Sequence, residues 1–145
     1  MEKFNHIELN NEVTKRGDNG FFKLEKDQEA IAEFLREVDY RTVKFSSEMK
    51  RLRYLVEENF YYNIFDKYIE DEIVECLELA KNFKFEFKSY MAASKFYKDY
   101  ALKTNDKKQY LENFNQHVFI VAMYLADGDV ALAKELMIAM LEQRL

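Results

Sequence analysis

The sequence has no proline, three glycines and one cysteine among its 145 residues. Proline and glycine interrupt helices and supply the turns of all-β folds, so their scarcity favours long uninterrupted helices. The single cysteine, Cys76, excludes an internal disulfide and a cysteine-rich metal site, and it suits a reducing compartment. These absences predict a mainly α fold and a cytoplasmic location.

Two further features are missing, and each excludes a class of partner. The N-terminus has no apolar signal-peptide core, and no segment approaches the roughly 20 apolar residues that span a bilayer. The net charge is −5 and the pI about 5.2, whereas nonspecific nucleic-acid binding needs a basic surface. We therefore expect neither a membrane nor a nucleic acid as a partner.

The overall composition is that of a globular protein whose interior is rich in aromatic side chains. Apolar residues make up 48% of the chain, aromatic residues 16% and charged residues 34%. A chain of this length can form one domain with a substantial core but not two large ones. The sequence thus predicts a single domain over residues 1–145, a compact multi-helix fold.

Residues 87–106 predict a central helix followed by a turn. Ser89 can cap the helix start, and Tyr90, Ala93, Tyr97 and Tyr100 recur at the three-to-four spacing of one helical face. The polar tract 103–108 favours a tight turn, and the flanking residues could pair across it as a small β-hairpin over about 100–111.

The chain before this helix predicts several short elements. Asp27 is a plausible N-cap for a helix whose apolar stripe includes Phe34, and Ser46 or Ser47 can start the next helix. The remaining predictions are a short helix at 6–13, a turn at 17–20, an extended piece at 21–24, an irregular helical segment at 60–69, a helix at 70–82 and a short strand at 83–87.

Two apolar helices end the sequence. Residues 118–126 are apolar on every face, which predicts a helix buried all round, started by a capping box of Asn113 and Gln116 and ended by Gly128. Asp129 can cap the last helix, which stops without a closing glycine or basic tail and so resembles a cut through a longer chain or a surface awaiting a partner. Its stripe predicts a docking surface formed by Val130, Ala133, Met137, Met140 and Leu141.

Spacing alone gives no catalytic or metal-binding constellation. His6 and His117 have no metal-ligand partner at helical spacing, so we expect neither a metal nor a cofactor in this chain. Acidic neighbours would raise the pKa of the Cys76 thiol, which predicts an inert cysteine. Lys103, Lys107 and Lys108 could receive a phosphate or an acidic partner, although a solvated turn is the simpler interpretation.

The block MAASKFYKDYALKTNDKK at residues 91–108 carries a family resemblance. It is similar to the M-S-A-x-K-F-Y-x-D-Y-A-L-K-T-N-D-K-K block near the N-terminus of the large (alpha) subunit of class Ib ribonucleotide reductase. Further blocks resemble that subunit in the same order, at residues 7–12, 26–30, 42–45, 52–57, 61–62, 83–87, 110–112, 121–122 and 126–129. The resemblance covers essentially the whole chain.

This resemblance implies the N-terminal helical domain of an enzyme that reduces ribonucleoside diphosphates to deoxyribonucleotides. In the family that domain packs against a ten-stranded catalytic barrel, and a small radical-carrying metallo-subunit drives formation of a thiyl radical on a barrel cysteine. The family's catalytic cysteines have no counterpart here, and Cys76 matches none of them. The resemblance therefore implies partners, namely the barrel and, through the complete enzyme, the small subunit, but no catalytic residue in this chain.

A second local resemblance concerns residues 13–25. Val13 to Asp18 read V-T-K-R-G-D, similar to the V-x-K-R-D-G opening of the regulatory ATP-cone, with Gly and Asp interchanged. A remnant of that cone could bind a nucleotide phosphate through Lys15 and Arg16. The alternative to a scaffold domain is accordingly a free-standing regulatory module that docks on a reductase or binds an adenine nucleotide.

Overall fold

The computed structural model describes residues 20–142, except for the side chains of residues 20–25, and over that range the chain is mainly helical. The helices are α1 (Gly20–Tyr40), α2 (Glu48–Glu57), α3 (Glu70–Asn82), α4 (Tyr90–Lys95), α5 (Phe114–Ala126) and α6 (Val130–Leu141). A 3-10 turn spans Ile64–Asp66 and a π-helical turn spans Phe96–Tyr100. The predicted mainly α fold is confirmed. The predicted helix at 6–13 and residues 17–19 of the predicted turn lie outside the described range.

The chain divides into two compact units, each built from segments that are distant in sequence. The first unit combines Met1–Thr42 with Glu86–Leu111, and the second combines Val43–Phe85 with Glu112–Leu145. The sequence predicted a single domain over residues 1–145, and its composition gave no signal for this division.

The first unit is held by the apolar stripe of α1 and by the aromatic rings of α4 and the π-helical turn. Ala30, Ile31, Phe34 and Val38 are buried at three-to-four spacing along α1, as an amphipathic helix requires. Tyr97, only 4% exposed, meets the ring of Phe34 edge-on with centroids 5.9 Å apart. Phe34 also meets the ring of Tyr90 at 5.7 Å, so its contacts fix both α4 and the π-helical turn against α1.

Two predictions for the start of α1 are wrong. Residues 21–24 are not extended but continue the helix, which begins at Gly20. Asp27 is not an N-cap but an interior residue of α1, and its Oδ1 accepts a hydrogen bond from the backbone N–H of Tyr90 at 3.1 Å. Its carboxylate therefore helps cap α4, alongside Ser89, whose hydroxyl accepts from the Ala92 N–H at 3.0 Å.

The predicted central helix is interrupted after Lys95. The turn Phe96–Tyr100 is π-helical, and the Ala101 N–H donates to the Phe96 carbonyl at 2.9 Å, five residues back. Because a π-helical turn holds more residues than an α-helical one, the side chains after it fall out of phase with the buried face. Tyr97 is buried but Tyr100 is 59% exposed, so the predicted face is wrong at Tyr100.

The hairpin predicted around residues 100–111 is reduced to an isolated antiparallel bridge between Lys103 and Tyr110. The Leu111 N–H donates to the Leu102 carbonyl at 2.8 Å, and the Thr104 N–H donates to the Gln109 carbonyl at 2.9 Å. Lys107, with a φ of 60°, closes the turn between them.

The strand predicted at 83–87 is absent from the structure. Phe85 stacks on Phe114 in the second unit, whereas Phe87 packs beside Tyr97 in the first, so the alternation reflects two cores and not a strand.

The second unit is a helical core in which α3, α5 and α6 pack together. Its fully buried side chains include Leu52, Ile64, Ile73, Phe119 and Met123. The predicted caps are confirmed: Ser47 starts α2, Asn113 and Gln116 form the capping box of α5, and Asp129 starts α6.

The turn between α5 and α6 depends on a left-handed backbone. Asp127 has a φ of 46° and Gly128 a φ of 99°, a conformation that glycine adopts without steric cost. A Cβ atom at Gly128 would also lie 3.4 Å from the carbonyl oxygen of Lys67. Gly128 thus ends α5 as its position predicts.

Candidate functional site

Charged groups are buried at one place in the second unit, around Arg51 and Glu112. The side chains of these residues are 3% and 2% exposed, and Nη2 of Arg51 lies 3.9 Å from Oε2 of Glu112. Arg51 comes from α2, and Glu112 directly precedes the cap of α5. Buried ions are costly unless they are paired and hydrogen-bonded, so the partners of each group decide what the cluster can do.

Tyr61 bridges the two charges. Its hydroxyl accepts from Nη2 of Arg51 at 2.5 Å and donates to Oε2 of Glu112. Burial raises the pKa of Tyr61 well above its usual value; the charge of Arg51 opposes this rise and that of Glu112 adds to it. Tyr61 therefore stays a neutral phenol that joins a cation to an anion.

The outer bonds of the cluster tie together α2 and the start of α5. Oε1 of Glu112 lies 2.7 Å from Nδ1 of His117, and Nη1 of Arg51 donates to Oε2 of Glu48 at 3.4 Å. The other oxygen of Glu48 accepts from Nε2 of Gln116 at 2.8 Å. Each charged group thus has at least one hydrogen-bond partner, as a stable buried network requires.

A cavity of about 240 Å³ lies beside the outer part of this network, lined by Glu48, Lys81, Asn115 and Gln116 among others. Asn115 donates from Nδ2 to the carbonyls of Ala80 and Phe83, which closes the end of α3 against α5. The buried groups of the cluster bond to one another, so the arrangement is suited to fixing the helices rather than to acid–base chemistry on a substrate.

The docking surface predicted on the last helix requires correction. Ala133, Met137 and Leu141 are buried in the core of the second unit, and Val130 and Met140 pack against that core. The stripe faces inward because α6 packs on α3 and α5, so it is not free to receive a partner. The prediction that α5 is buried all round is also wrong, because Tyr124 is 63% exposed and Leu125 57% exposed.

The other residues singled out in the sequence fall in separate places. Lys15 and Arg16, with most of the proposed cone remnant at 13–25, lie outside the described residues. Cys76 is buried in α3, and burial is the main cause that raises the pKa of its thiol. His117 is in contact with Glu112. The sequence does not predict this pair, because Glu112 lies before the N-cap of α5 and so outside the helical spacing of His117.

Two negative findings apply to the described part of the chain. Between residues 20 and 142, no group of three or more His, Cys, Asp or Glu side chains is placed to hold a metal ion. Over the same range, none of the helices combines the length and apolar character that crossing a membrane would require.

Comparison with known protein families assigns both parts of the chain. Residues 6–85 match the family model of the ribonucleotide reductase N-terminal region, and residues 86–145 match that of the ribonucleotide reductase all-alpha domain. The chain therefore belongs to the ribonucleotide reductase family. The boundary at 85/86 coincides with the point at which the chain passes from the second unit to the first.

The similar curated proteins are alpha subunits. The chain is 42% identical over 141 residues to the ribonucleoside-diphosphate reductase NrdEB subunit alpha of Bacillus subtilis. That alignment covers 96% of this chain and 13% of the Bacillus protein. The chain is also 42% identical to another Bacillus subtilis ribonucleoside-diphosphate reductase subunit alpha, covering 94% of this chain and 20% of that protein, and 35% identical to the subunit alpha of Mycoplasma pneumoniae.

The chain thus corresponds to the N-terminal helical domain of ribonucleoside-diphosphate reductase alpha subunits. It spans between 13% and 20% of the length of the Bacillus and Mycoplasma relatives named above.

Proposed function

We propose that the chain is a non-catalytic helical scaffold of a class Ib ribonucleoside-diphosphate reductase alpha subunit and that it packs against the subunit's catalytic barrel. The observation that carries this proposal is the match to alpha subunits over almost the whole chain. The class Ib assignment rests on the block at residues 91–108 and on the similarity to the Bacillus proteins.

The chemistry of the described residues supports a scaffold. A thiyl-radical enzyme needs a cysteine that can reach its substrate, and Cys76 is buried within α3 with a raised thiol pKa. The buried cluster around Arg51 and Glu112 bonds inward and fixes helices. On this proposal the reactive cysteines and the substrate site belong to the barrel, and the chain binds no cofactor of its own. The small radical-carrying subunit would act with it only through the complete enzyme.

Exposed apolar side chains on α5 and α6 supply a contact surface for such a scaffold. Tyr124 is 63% exposed, Leu125 57% and Leu132 38%, and all three lie close in sequence to the turn at Gly128. Contiguous apolar patches on a folded surface often mark an interface, and these residues belong to two helices that pack on each other. We assign the barrel contact to these three residues, which replace the inward stripe predicted from the sequence.

A chimera tests the proposal directly. This chain would replace the matching N-terminal part of the Bacillus subtilis alpha subunit, and reduction of ribonucleoside diphosphates would be measured with that enzyme's small subunit. The scaffold proposal predicts activity within about tenfold of the parent, since the active site is untouched and the supporting domain is supplied. A folded chimera with less than about one-hundredth of the parent activity would contradict it.

Two substitutions locate the contact. Leu125→Glu in the chimera should lower activity at least fivefold, because it places a charge in the apolar contact. Ile69→Glu, at a similarly exposed apolar position of the second unit, should leave activity unchanged. If the two variants behave alike, the α5–α6 surface is not the contact.

Capture of an adenine nucleotide by the isolated chain, lost in a Lys15→Gln/Arg16→Gln variant, would favour the regulatory module instead.

A further inference from the structure

A basic groove lies in the first unit, at the turn that follows α4. Its volume is about 590 Å³, and the charged side chains that line it are Lys98, Lys103, Lys107 and Asp99. That volume is in the range of small-molecule pockets. Three lysines against one aspartate make the groove positive, although the whole chain carries a net charge of −5.

Lys103 is the best-positioned cation of this groove. Its Nζ donates to the carbonyl of Lys98 at 2.8 Å and to that of Ala101 at 3.4 Å, and it lies 5.7 Å from the ring centre of Tyr110. Two carbonyls engage two of the three ammonium hydrogens, which leaves one for a ligand. Burial is the main cause that lowers the pKa of Lys103; the nearby charges of Lys107 and Arg41 add to the lowering, while Asp99 opposes it. An anion in the groove would relieve this crowding of positive charge.

The carboxylates near the groove are already engaged. Asp99 pairs with Nζ of Lys95 at 3.3 Å. Asp106 accepts from the hydroxyl of Thr104 at 2.6 Å and from the backbone N–H of Lys108 at 3.0 Å. The Lys95 ion pair partly offsets the charge of Asp99, and Asp106 does not line the groove, so the three lysines outweigh the carboxylates there.

An aromatic ring is also available at this groove. Tyr100 lines it and is 59% exposed, because the π-helical turn puts it out of phase with the buried rings. Exposed rings of this kind are stacking surfaces for planar bases. The groove therefore combines point charges suited to phosphate with a surface suited to a base.

We infer that this groove binds an oligophosphate group, held by Lys98, Lys103 and Lys107. Two sources share that chemistry: an inorganic oligophosphate, and the phosphate tail of a nucleotide whose base stacks on Tyr100. Spacing in the sequence had singled out Lys103, Lys107 and Lys108 for a phosphate or an acidic partner. In the structure Lys103 and Lys107 line the groove together with Lys98, whereas Lys108 does not line it.

Titration calorimetry of the full chain with sodium tripolyphosphate at low ionic strength tests this inference. Lys98→Gln/Lys107→Gln should weaken binding at least tenfold, because two of the three phosphate contacts are lost. The matched pair is Lys107→Gln and Lys108→Gln, each of which removes one positive charge from the same turn. Lys107→Gln should weaken binding, whereas Lys108→Gln should change affinity less than twofold because Lys108 does not line the groove. Urea melts of each variant exclude unfolding as the cause of a loss.

Several outcomes would overturn the inference. These are the absence of binding heat with tripolyphosphate, equal losses in the Lys107→Gln and Lys108→Gln variants, and a loss in Lys15→Gln/Arg16→Gln without one in Lys98→Gln/Lys107→Gln. A parallel titration with ATP distinguishes the two sources. Tighter binding of ATP than of tripolyphosphate, with the gain removed by Tyr100→Ala, identifies a nucleotide; equal binding, unaffected by Tyr100→Ala, identifies the free oligophosphate.

Discussion

Arg51 and Glu112 form a buried charge pair whose two side chains are 3% and 2% exposed and whose nearest charged atoms are 3.9 Å apart. The gap is filled by the hydroxyl of Tyr61, which bonds to both. Sixty-one positions of sequence separate the pair, so it can form only when α2 and the start of α5 are correctly placed. We expect such a network to contribute more to the specificity of the fold than to its stability, a distinction that substitutions can test.

The charge pair should show strong coupling in a double-mutant cycle. Glu112→Leu removes the buried carboxylate that faces Arg51 and should lower the free energy of unfolding by about 3 to 5 kcal/mol. Arg51→Met in the same background removes the buried cation as well and should restore at least about 1 kcal/mol of that loss. Urea denaturation of the two single variants and the double variant measures the coupling. Additive losses would show that the two side chains do not interact.

Adjacent tyrosines provide a matched comparison. The Tyr61 hydroxyl bridges the charge pair, whereas the buried Tyr62 hydroxyl has no hydrogen-bond partner among the described residues. Tyr61→Phe should therefore destabilise the chain by about 1 to 3 kcal/mol, since it removes one hydrogen bond from each of two buried charged groups. Tyr62→Phe removes an unpaired buried polar atom and should be neutral or stabilising. Equal losses in thermal or urea melts would contradict the assigned bonding.

The phase shift after Lys95 makes a prediction about two other tyrosines. Tyr97 is 4% exposed and meets the rings of Phe96 and Tyr110 at 4.9 and 5.4 Å. Tyr97→Ala should cost about 3 to 5 kcal/mol of unfolding free energy, as large aromatic truncations in cores do. Tyr100→Ala, on the exposed side of the π-helical turn, should cost less than about 0.5 kcal/mol. If the helix continued without the π-helical turn, Tyr100 would share the buried face of Tyr97, and both substitutions would cause large losses.

The carboxyl group of Asp106, in the turn that follows Thr104, should titrate at an unusually low pH. The hydrogen bond from the Thr104 hydroxyl, followed by that from the Lys108 N–H, holds the pKa of Asp106 below its usual range. The folded-state pKa is thus below the unfolded one, so the turn's contribution to stability is present above the ordinary Asp value of about 3.9 and is lost as the pH falls through the folded-state pKa. A ¹³C-carboxyl NMR titration should show the pKa of Asp106 rising in Thr104→Val and staying unchanged in Asn105→Ala. No rise in Thr104→Val would mean that the hydroxyl is not the main cause.

Local chemistry explains which parts of the fold could be predicted from the sequence. Ser47, Asn113, Asp129 and Gly128 act through their own backbone neighbourhood, so their roles were correctly predicted from residue type and spacing. The π-helical turn has no such signal, because its i to i+5 bond depends on how Phe96 and Tyr97 pack in the first unit. Tyr100 was therefore assigned to the wrong face.

The site depends on contacts that are distant in sequence, and these were not predictable. Arg51, Tyr61 and Glu112 each resemble ordinary surface residues until the fold brings them together. The apolar stripe of α6 was correctly recognised as apolar, but periodicity cannot say whether such a stripe meets another helix of the same chain or a partner. Packing on α3 and α5 decided the question for this stripe, whereas Tyr124 and Leu125 of α5 are exposed.

The accessibility of position 125 tests the central claim most directly. Cys76 is buried, so a Leu125→Cys variant offers a new accessible thiol whose modification by a maleimide can be followed by mass spectrometry of its peptide. The scaffold account predicts that labelling at position 125 slows at least tenfold when the chain is part of the reductase chimera, while labelling of an Ile69→Cys control keeps its rate. Equal rates at position 125 in the free chain and in an active chimera would contradict the account.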